Sequence, residues 1–271
     1  MKNKSNKIIL SIIGIALGLL WLFPFYLMVV NSFKTPKGIF TDVIGFPLET
    51  TFENYKNAFV ELDFFKSLFN SVLITVVSIL VIIFCSSMAA YVLARTKTKM
   101  SMIVLMIFVA AMLIPFQSVM IPLVSIFGNV GMLNKVGLIF MYLGFGGSLS
   151  IFLFHGAMGG IPVSLDEAAL IDGASKFQIF TKIIFPLLMP ISVTSGILNV
   201  IWIWNDYLLP SLILGKADET IPLKMFYFFG QYTKQWHLAL AGLTIAIIPV
   251  IIFYFFAQKY IIEGVAEGAV K

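Results

Sequence analysis

Glu167-Ala168-Ala169-Leu170-Ile171-Asp172-Gly173, followed after nine residues by Ile183-Ile184-Phe185-Pro186, is the polar, charged island in an otherwise lipid-like half of the chain. Ser164 stands three residues before Glu167, the S-x-x-E relation of a capping box. That spacing predicts a helix start at which the hydroxyl and the carboxylate satisfy free amides. Asp166 and Glu167 complement the helix dipole in the first turn, and Ala168 to Ile171 continue with good helix formers. Asp172-Gly173 ends the helix, because Gly takes the left-handed cap that other residues resist. A second helix is expected from Ala174, carrying Phe177, Ile179, Phe180 and Ile183 towards the next apolar run. Ala168 and Ala169 are small enough for close approach by a partner surface, while Glu167 and Asp172 offer charge to a basic partner. On capping chemistry alone the stretch also fits an ordinary connecting loop.

Around this island the composition is that of a membrane protein. Hydrophobic residues make up 60% of the chain and charged residues 11%, with a mean hydropathy of +1.00. An ordinary soluble domain carries about 25% charge. The net charge of +5 is modest, and no dense basic tract interleaved with aromatics points to nucleic acid. A positive excess suits anionic membrane lipid instead. Cys85 is the lone cysteine and lies in an apolar run, so no internal disulfide is available.

The apolar runs predict six transmembrane helices at 8–30, 67–94, 101–127, 136–157, 183–205 and 238–258, within one membrane domain covering 1–271. Each reaches the roughly 20 residues that a hydrocarbon core requires. The first reads as an uncleaved span, since a signal peptide has a shorter apolar core and a small-residue cleavage site. Strand-period alternation is missing over these lengths, which disfavours a β-barrel. With the N-terminus inside, Lys2, Lys4, Lys7, Arg95, Lys97, Lys99, Lys176, Lys182, Lys259 and Lys271 are cytoplasmic, ten of eighteen basic residues. The short cluster from Arg95 to Lys99 carries the strongest orientation signal. Both termini and a loop at 158–182 are therefore expected in the cytoplasm.

The spans lack acids and bases, and His155 alone is ionisable within them. An ion-coupled carrier usually needs such groups, so the energy source is expected elsewhere. The chain has no G-x4-G-K-[ST] phosphate loop, because Gly215-Lys216 is followed by Ala217. No spacing suggests a metal site or a catalytic set, and the chain is expected to be neither an enzyme nor a cofactor carrier. Pro115-Phe116-Gln117 places a helix break beside an aromatic ring and an amide, a combination that suits a polar translocation path. It fits equally a packing kink with Gln117 bonded to a neighbouring helix. Asn70, Ser71, Thr194, Ser195 and Asn199 share that ambiguity, since such residues also join helices in bilayers. Trp202, Trp204 and Tyr207 suggest an aromatic belt at the outer interface.

The spacing E-A-A-x3-G-x9-I-x-Leu-Pro, with Phe185 in place of Leu, resembles the cytoplasmic signature of ATP-binding-cassette importer permeases. Asn31-Ser32-Phe33-Lys34, Thr51-Phe52-Glu53-Asn54-Tyr55, Ala89-Ala90-Tyr91, Ile121-Pro122-Leu123 and Trp204-Asn205-Asp206 resemble the carbohydrate-uptake branch, in particular its smaller, maltose-importer-type subunit. The tail from Glu263 to Lys271 adds to that likeness. The resemblance implies an all-α, MetI-like permease fold in a bacterial or archaeal cell membrane. It also implies a second permease subunit, a cytoplasmic ATPase dimer that uses ATP and Mg, and an extracytoplasmic solute-binding protein. Glu167, Ala168, Ala169, Asp172, Gly173, Ile183 and Pro186 would then form the ATPase-coupling element, with the tail extending into the same interface. A sugar or oligosaccharide is the implied solute; a polyol phosphate or a peptide is the alternative within the class, and an ion-coupled carrier the alternative outside it.

Overall fold

The computed structural model describes residues 2–228 and 235–269, with side chains over 7–228, 235–256, 258 and 259; the ends of the tail, at 270 and 271, lie outside it. Every regular element among the described residues is helical. In chain order they are α1 (Lys2–Ser32), α2 (Pro36–Thr41), α3 (Glu53–Glu61), α4 (Phe64–Arg95), α5 (Lys99–Ala111), α6 (Phe116–Asn129), α7 (Lys135–Met158) and α8 (Ser164–Ile171). There follow α9 (Lys176–Ile179), a π-helical turn (Phe180–Ile184), α10 (Phe185–Leu187), α11 (Met189–Asn205), α12 (Leu208–Ile213), a 3-10 turn (Lys216–Asp218), α13 (Ile221–Phe226) and α14 (Trp236–Ala269). Among these residues four helices are long and apolar enough to cross a membrane, and six spans result if each of two sharply bent pairs counts as one. Helices dominate because, in lipid, backbone amides and carbonyls find partners only within their own segment.

The chain forms two compact units, Met1–Phe65 with Lys224–Ile252 and Lys66–Leu223 with Phe253–Lys271. In the first, the segment after α1 is tied by polar contacts. Asn54 donates its amide to the carbonyls of Ser32 (2.9 Å) and Lys34 (2.8 Å), the Ser32 and Tyr55 hydroxyls meet at 2.6 Å, and Phe33 packs on Tyr55 and Phe52. These bonds hold the segment between α1 and α4 in ordered structure. Asp42 receives the amides of Gly45 and Ile44, which hold its carboxyl below the usual carboxylate range.

In the second unit a stripe of small and polar residues lets helices approach closely. Along α4, Asn70, Ser71, Ile74, Thr75, Ser78, Ile82, Ser86 and Ala90 are buried at helical spacing. Ile82 and Ser86 of this stripe lie against Gly146 and Gly147 of α7, and Gly196 of α11 lies against Ile79 and Ile83, with Ser150, Ser195 and Asn199 buried alongside. Ser195 donates to Ser150 (2.9 Å), as does Asn199 (3.1 Å), and Ser150 bonds the Gly146 carbonyl. Here Ser195 and Asn199 join helices.

Both bent spans break at proline. α5 and α6 meet at 103°, with Pro115 capping α6, so the expected kink within 101–127 is a corner between two helices. Proline disfavours the helical conformation of the residue before it and supplies no amide. The segment Lys176–Leu187 and α11 meet at 75° at Leu188, just before Pro190.

Candidate functional site: the Glu167 loop

α7 ends at Met158, and Gly159, Gly160 and Ile161 bond back onto its last turn before α8 begins. The capping box expected at Ser164 and Glu167 does not form. Val163 is the N-cap, its carbonyl takes the Asp166 and Glu167 amides, and Ser164 is the first helical residue without a side-chain cap. The box lies instead at Ser175 and Gln178, where each side chain bonds the other residue's amide and starts α9. Ser175-Lys176-Phe177-Gln178 matches the same pattern, and the two candidates differ only in whether the preceding chain is extended, as it is at Ser175.

The end of α8 follows expectation. Gly173 takes φ +82°, its amide bonds the Leu170 carbonyl, and the Ala174 amide bonds that of Ala169. This is the Schellman arrangement, which satisfies two orphan carbonyls and reverses the chain. Beyond α9 the π turn leads into Pro186, and the Phe185 amide reaches back five residues to Phe180. Pro186 has no amide to offer, and a widened turn is one way for a helix to accommodate that loss.

The loop has two faces. Asp166 (6% exposed) and Ala169 point into the protein, while Glu167, Ala168, Leu170, Ile171, Asp172 and Gly173 are exposed. Ile171 is 87% exposed, so the outer face presents an uncovered apolar residue between acidic ones. Pro186 is exposed, and Ile183 is half-buried against a core that includes Ala90, Phe154, Met158, Ala169, Ile179 and Phe180.

The inner face is fixed to α4. Arg95 Nη2 and Asp166 Oδ2 form an ion pair at 2.9 Å, the Tyr91 hydroxyl donates to Asp166 Oδ1 at 2.5 Å, and Arg95 Nη1 donates to the Ile161 carbonyl at 3.1 Å. Phe180 packs on Tyr91, with ring centroids 5.6 Å apart. In the sequence Arg95 signals only orientation, and Asp166 only a charge that complements the helix dipole. The single local hint was Tyr91 and Arg95 at i,i+4 spacing, one above the other on the helix.

Pro115, Phe116 and Gln117 belong to a different cluster. Phe116 packs edge-on against Phe145 (5.5 Å), beside Trp202 and Tyr142, while Pro115 and Gln117 are exposed at the corner of α5 and α6. Gln117 is thus placed on the surface of this chain, away from its neighbouring helices. Trp202 packs on Tyr142, whose hydroxyl donates to Asp206 (3.0 Å). A further polar group joins Lys135 to Asn70 (2.9 Å) and Asp218 (3.0 Å), with Asn70 donating to the Glu219 carbonyl and Ser71 accepting the Ile221 amide.

The helical array, its paired bends and its capped loop define a polytopic membrane component of the importer-permease type. Residues 82–267 match the family described as the binding-protein-dependent transport system inner membrane component, and the chain belongs to that family. It is 56% identical over 267 residues to the probable starch degradation products transport system permease protein of Thermoanaerobacterium thermosulfurigenes, covering 98% of this chain and 97% of that one. It is 38% identical to the multiple sugar-binding transport system permease protein of Streptococcus mutans, covering 98% and 96%. In fold it is similar to a chain of a bacterial ABC transporter involved in the import of the acidic polysaccharide alginate. That TM-score is 0.79 at 23% identity, over 96% of this chain and 98% of that one.

Proposed function

We propose that this chain is a permease subunit of an ATP-driven importer for starch-derived oligosaccharides. In this reading it builds the translocation pathway with a second permease subunit, a cytoplasmic ATPase dimer hydrolyses ATP with Mg, and a solute-binding protein delivers the sugar. The observation that carries the reading is the 56% identity, over nearly the full length of both chains, to a permease named for starch degradation products. Both termini and the Glu167 loop face the cytoplasm, the orientation that the Arg95 to Lys99 charge cluster favours.

The exposed face of α8 is the ATPase-docking surface. Glu167 and Asp172 meet basic groups there, Ala168 allows close approach, and Ile171 fills an apolar recess. Ile183 and Pro186 set the direction of the chain leaving that surface. Closure of the ATPase pair draws the docked loop with it and rocks the spans between inward-open and outward-open states. Pro115, Phe116 and Gln117, at the exposed corner of α5 and α6, line the path on the side facing the second permease.

The test is ATP-dependent maltotriose uptake in membrane vesicles containing the assembled transporter, comparing the natural protein with Gly173→Asp. A pull-down reports whether the ATPase stays attached. A Cβ at Gly173 meets no atom within 4 Å, and the backbone penalty at its φ of +82° falls on the exposed turn, so the variant perturbs the docking surface locally. Loss of both uptake and attachment is expected. Undiminished uptake with the ATPase attached overturns the docking assignment, and maltotriose uptake absent from the natural complex overturns the substrate assignment.

A further inference from the structure

We infer that Arg95, Asp166 and Tyr91 form a clamp that makes the docking helix α8 move as one body with α4, so that they are positioning residues for the coupling of ATP hydrolysis to transport. The inference rests on the reading of the exposed α8 face as the ATPase-docking surface. It concerns the opposite, buried face, where Ala169 of the motif lies beside Asp166, which the motif does not include.

An eight-residue helix is marginally stable alone, and it passes a displacement to a span only as far as its inner face is anchored. Ala169 supplies an apolar anchor, packed with Ala90 and Phe154. Apolar burial is non-directional, so that contact resists separation but not sliding or rolling. Asp166 supplies direction. Its two oxygens are taken by two α4 side chains one turn apart, at 2.9 Å and 2.5 Å, a two-point attachment that fixes orientation as well as distance.

The same guanidinium donates to the Ile161 carbonyl in the turn leading to α8, so one cation holds the helix and its entrance. The second arm of the loop reaches the same place: the Tyr91 ring meets Phe180 of the π turn, and Phe180 also meets Phe84. Both halves of the loop therefore bear on the last turns of α4. A buried ion pair adds little net stability compared with a well-packed apolar pair. What it adds here is a specific register between two helices. One α4 face thus ends in the clamp, while its buried stripe continues to Asn70 and Ser71, along the helix that would carry the motion.

The experiment uses vesicles of the assembled transporter and measures maltotriose uptake, ATP hydrolysis and ATPase retention for Asp166→Asn, Arg95→Lys, Tyr91→Phe and the exchange of Arg95→Asp with Asp166→Arg. Asp166→Asn is expected to keep the ATPase and its hydrolysis while uptake per ATP falls by roughly two- to thirtyfold, the range for single positions in a coupled network. Arg95→Lys and Tyr91→Phe, milder changes less exposed to folding failure, are expected to lower the same ratio to a smaller extent. The exchange is expected to regain part of it. Uptake per ATP unchanged in Asp166→Asn and Tyr91→Phe, with Gly173→Asp still releasing the ATPase, overturns the clamp and leaves docking intact. A Gly173→Asp complex that keeps its ATPase overturns the docking reading itself.

Discussion

Arg95 and Asp166 lie 71 residues apart in sequence and meet at 2.9 Å, with 16% and 9% of their side chains exposed. Removing one partner leaves a buried charge, and the Arg95 Nε is already buried without a hydrogen-bond acceptor. Asp166→Ala is therefore expected to destabilise the protein by about 3–5 kcal/mol, whereas Arg95→Met combined with Asp166→Leu is expected to lose far less. Unfolding of the detergent-solubilised protein measures both. Equal losses in the single and the paired variants would mean that the site depends on the charges for stability, contrary to this expectation.

Gly146 marks a close approach between helices in the second unit. A Cβ there would overlap Asn199 Oδ1 and come within 2.9 Å of Ile82 Cδ1. Asn199 also holds Ser150, so a shift to relieve the overlap pulls on the bond between α7 and α11. Gly146→Ala is expected to cost about 1–3 kcal/mol by overpacking. Gly144, in the same helix with nothing within 4 Å of its Cβ position, is the control: Gly144→Ala is expected to be neutral, or stabilising by roughly 0.5–1 kcal/mol. Thermal unfolding in detergent separates the two.

Long apolar runs made the helical spans readable, because their length and freedom from charge allow few alternatives. The breaks were less readable. Pro115 announces a lost hydrogen bond but not its direction, and the 103° corner depends on how α6 packs through Phe116 on Phe145. The Gly173 cap was readable because a positive φ is a local property with a residue preference. The capping box was misplaced because Ser164 and Ser175 each precede an acid or amide at the right spacing, and only backbone conformation decides between them. Asp166 gave no local sign of its role. Its partners come from a helix that the linear sequence places elsewhere, so the sequence shows this acid only as a first-turn charge that complements the helix dipole.

Asp206 follows the end of α11 and accepts a bond from Tyr142. Burial pushes its carboxyl above the ordinary value of 3.8, opposed by the Tyr142 hydroxyl and the Leu209 and Leu208 amides. The folded state therefore holds this proton more tightly than the unfolded one. The resulting stabilisation is complete below 3.8 and disappears as pH rises through the raised folded value. Melting of the natural protein should accordingly fall with rising pH across the weakly acidic range relative to Asp206→Asn, which lacks the titration. Parallel melting curves for the two proteins would contradict the shift.

At Gly173 strain and space can be separated. The backbone sits at φ +82° with an empty Cβ position, so a substitution is penalised by conformation alone. A left-handed residue other than Gly costs roughly 1–2 kcal/mol, and Asn, whose side chain bonds locally, tolerates the region best. ATPase retention should then fall in the order Gly, Asn, Ala, Val, because β-branching makes the left-handed region least accessible. The strained turn lies on the exposed side of the loop, and the spans do not depend on it. Global melting should therefore change less than ATPase binding. A series in which melting and ATPase binding fall together would show that the turn is needed for the fold as a whole, and Gly173 would then report on stability rather than on docking.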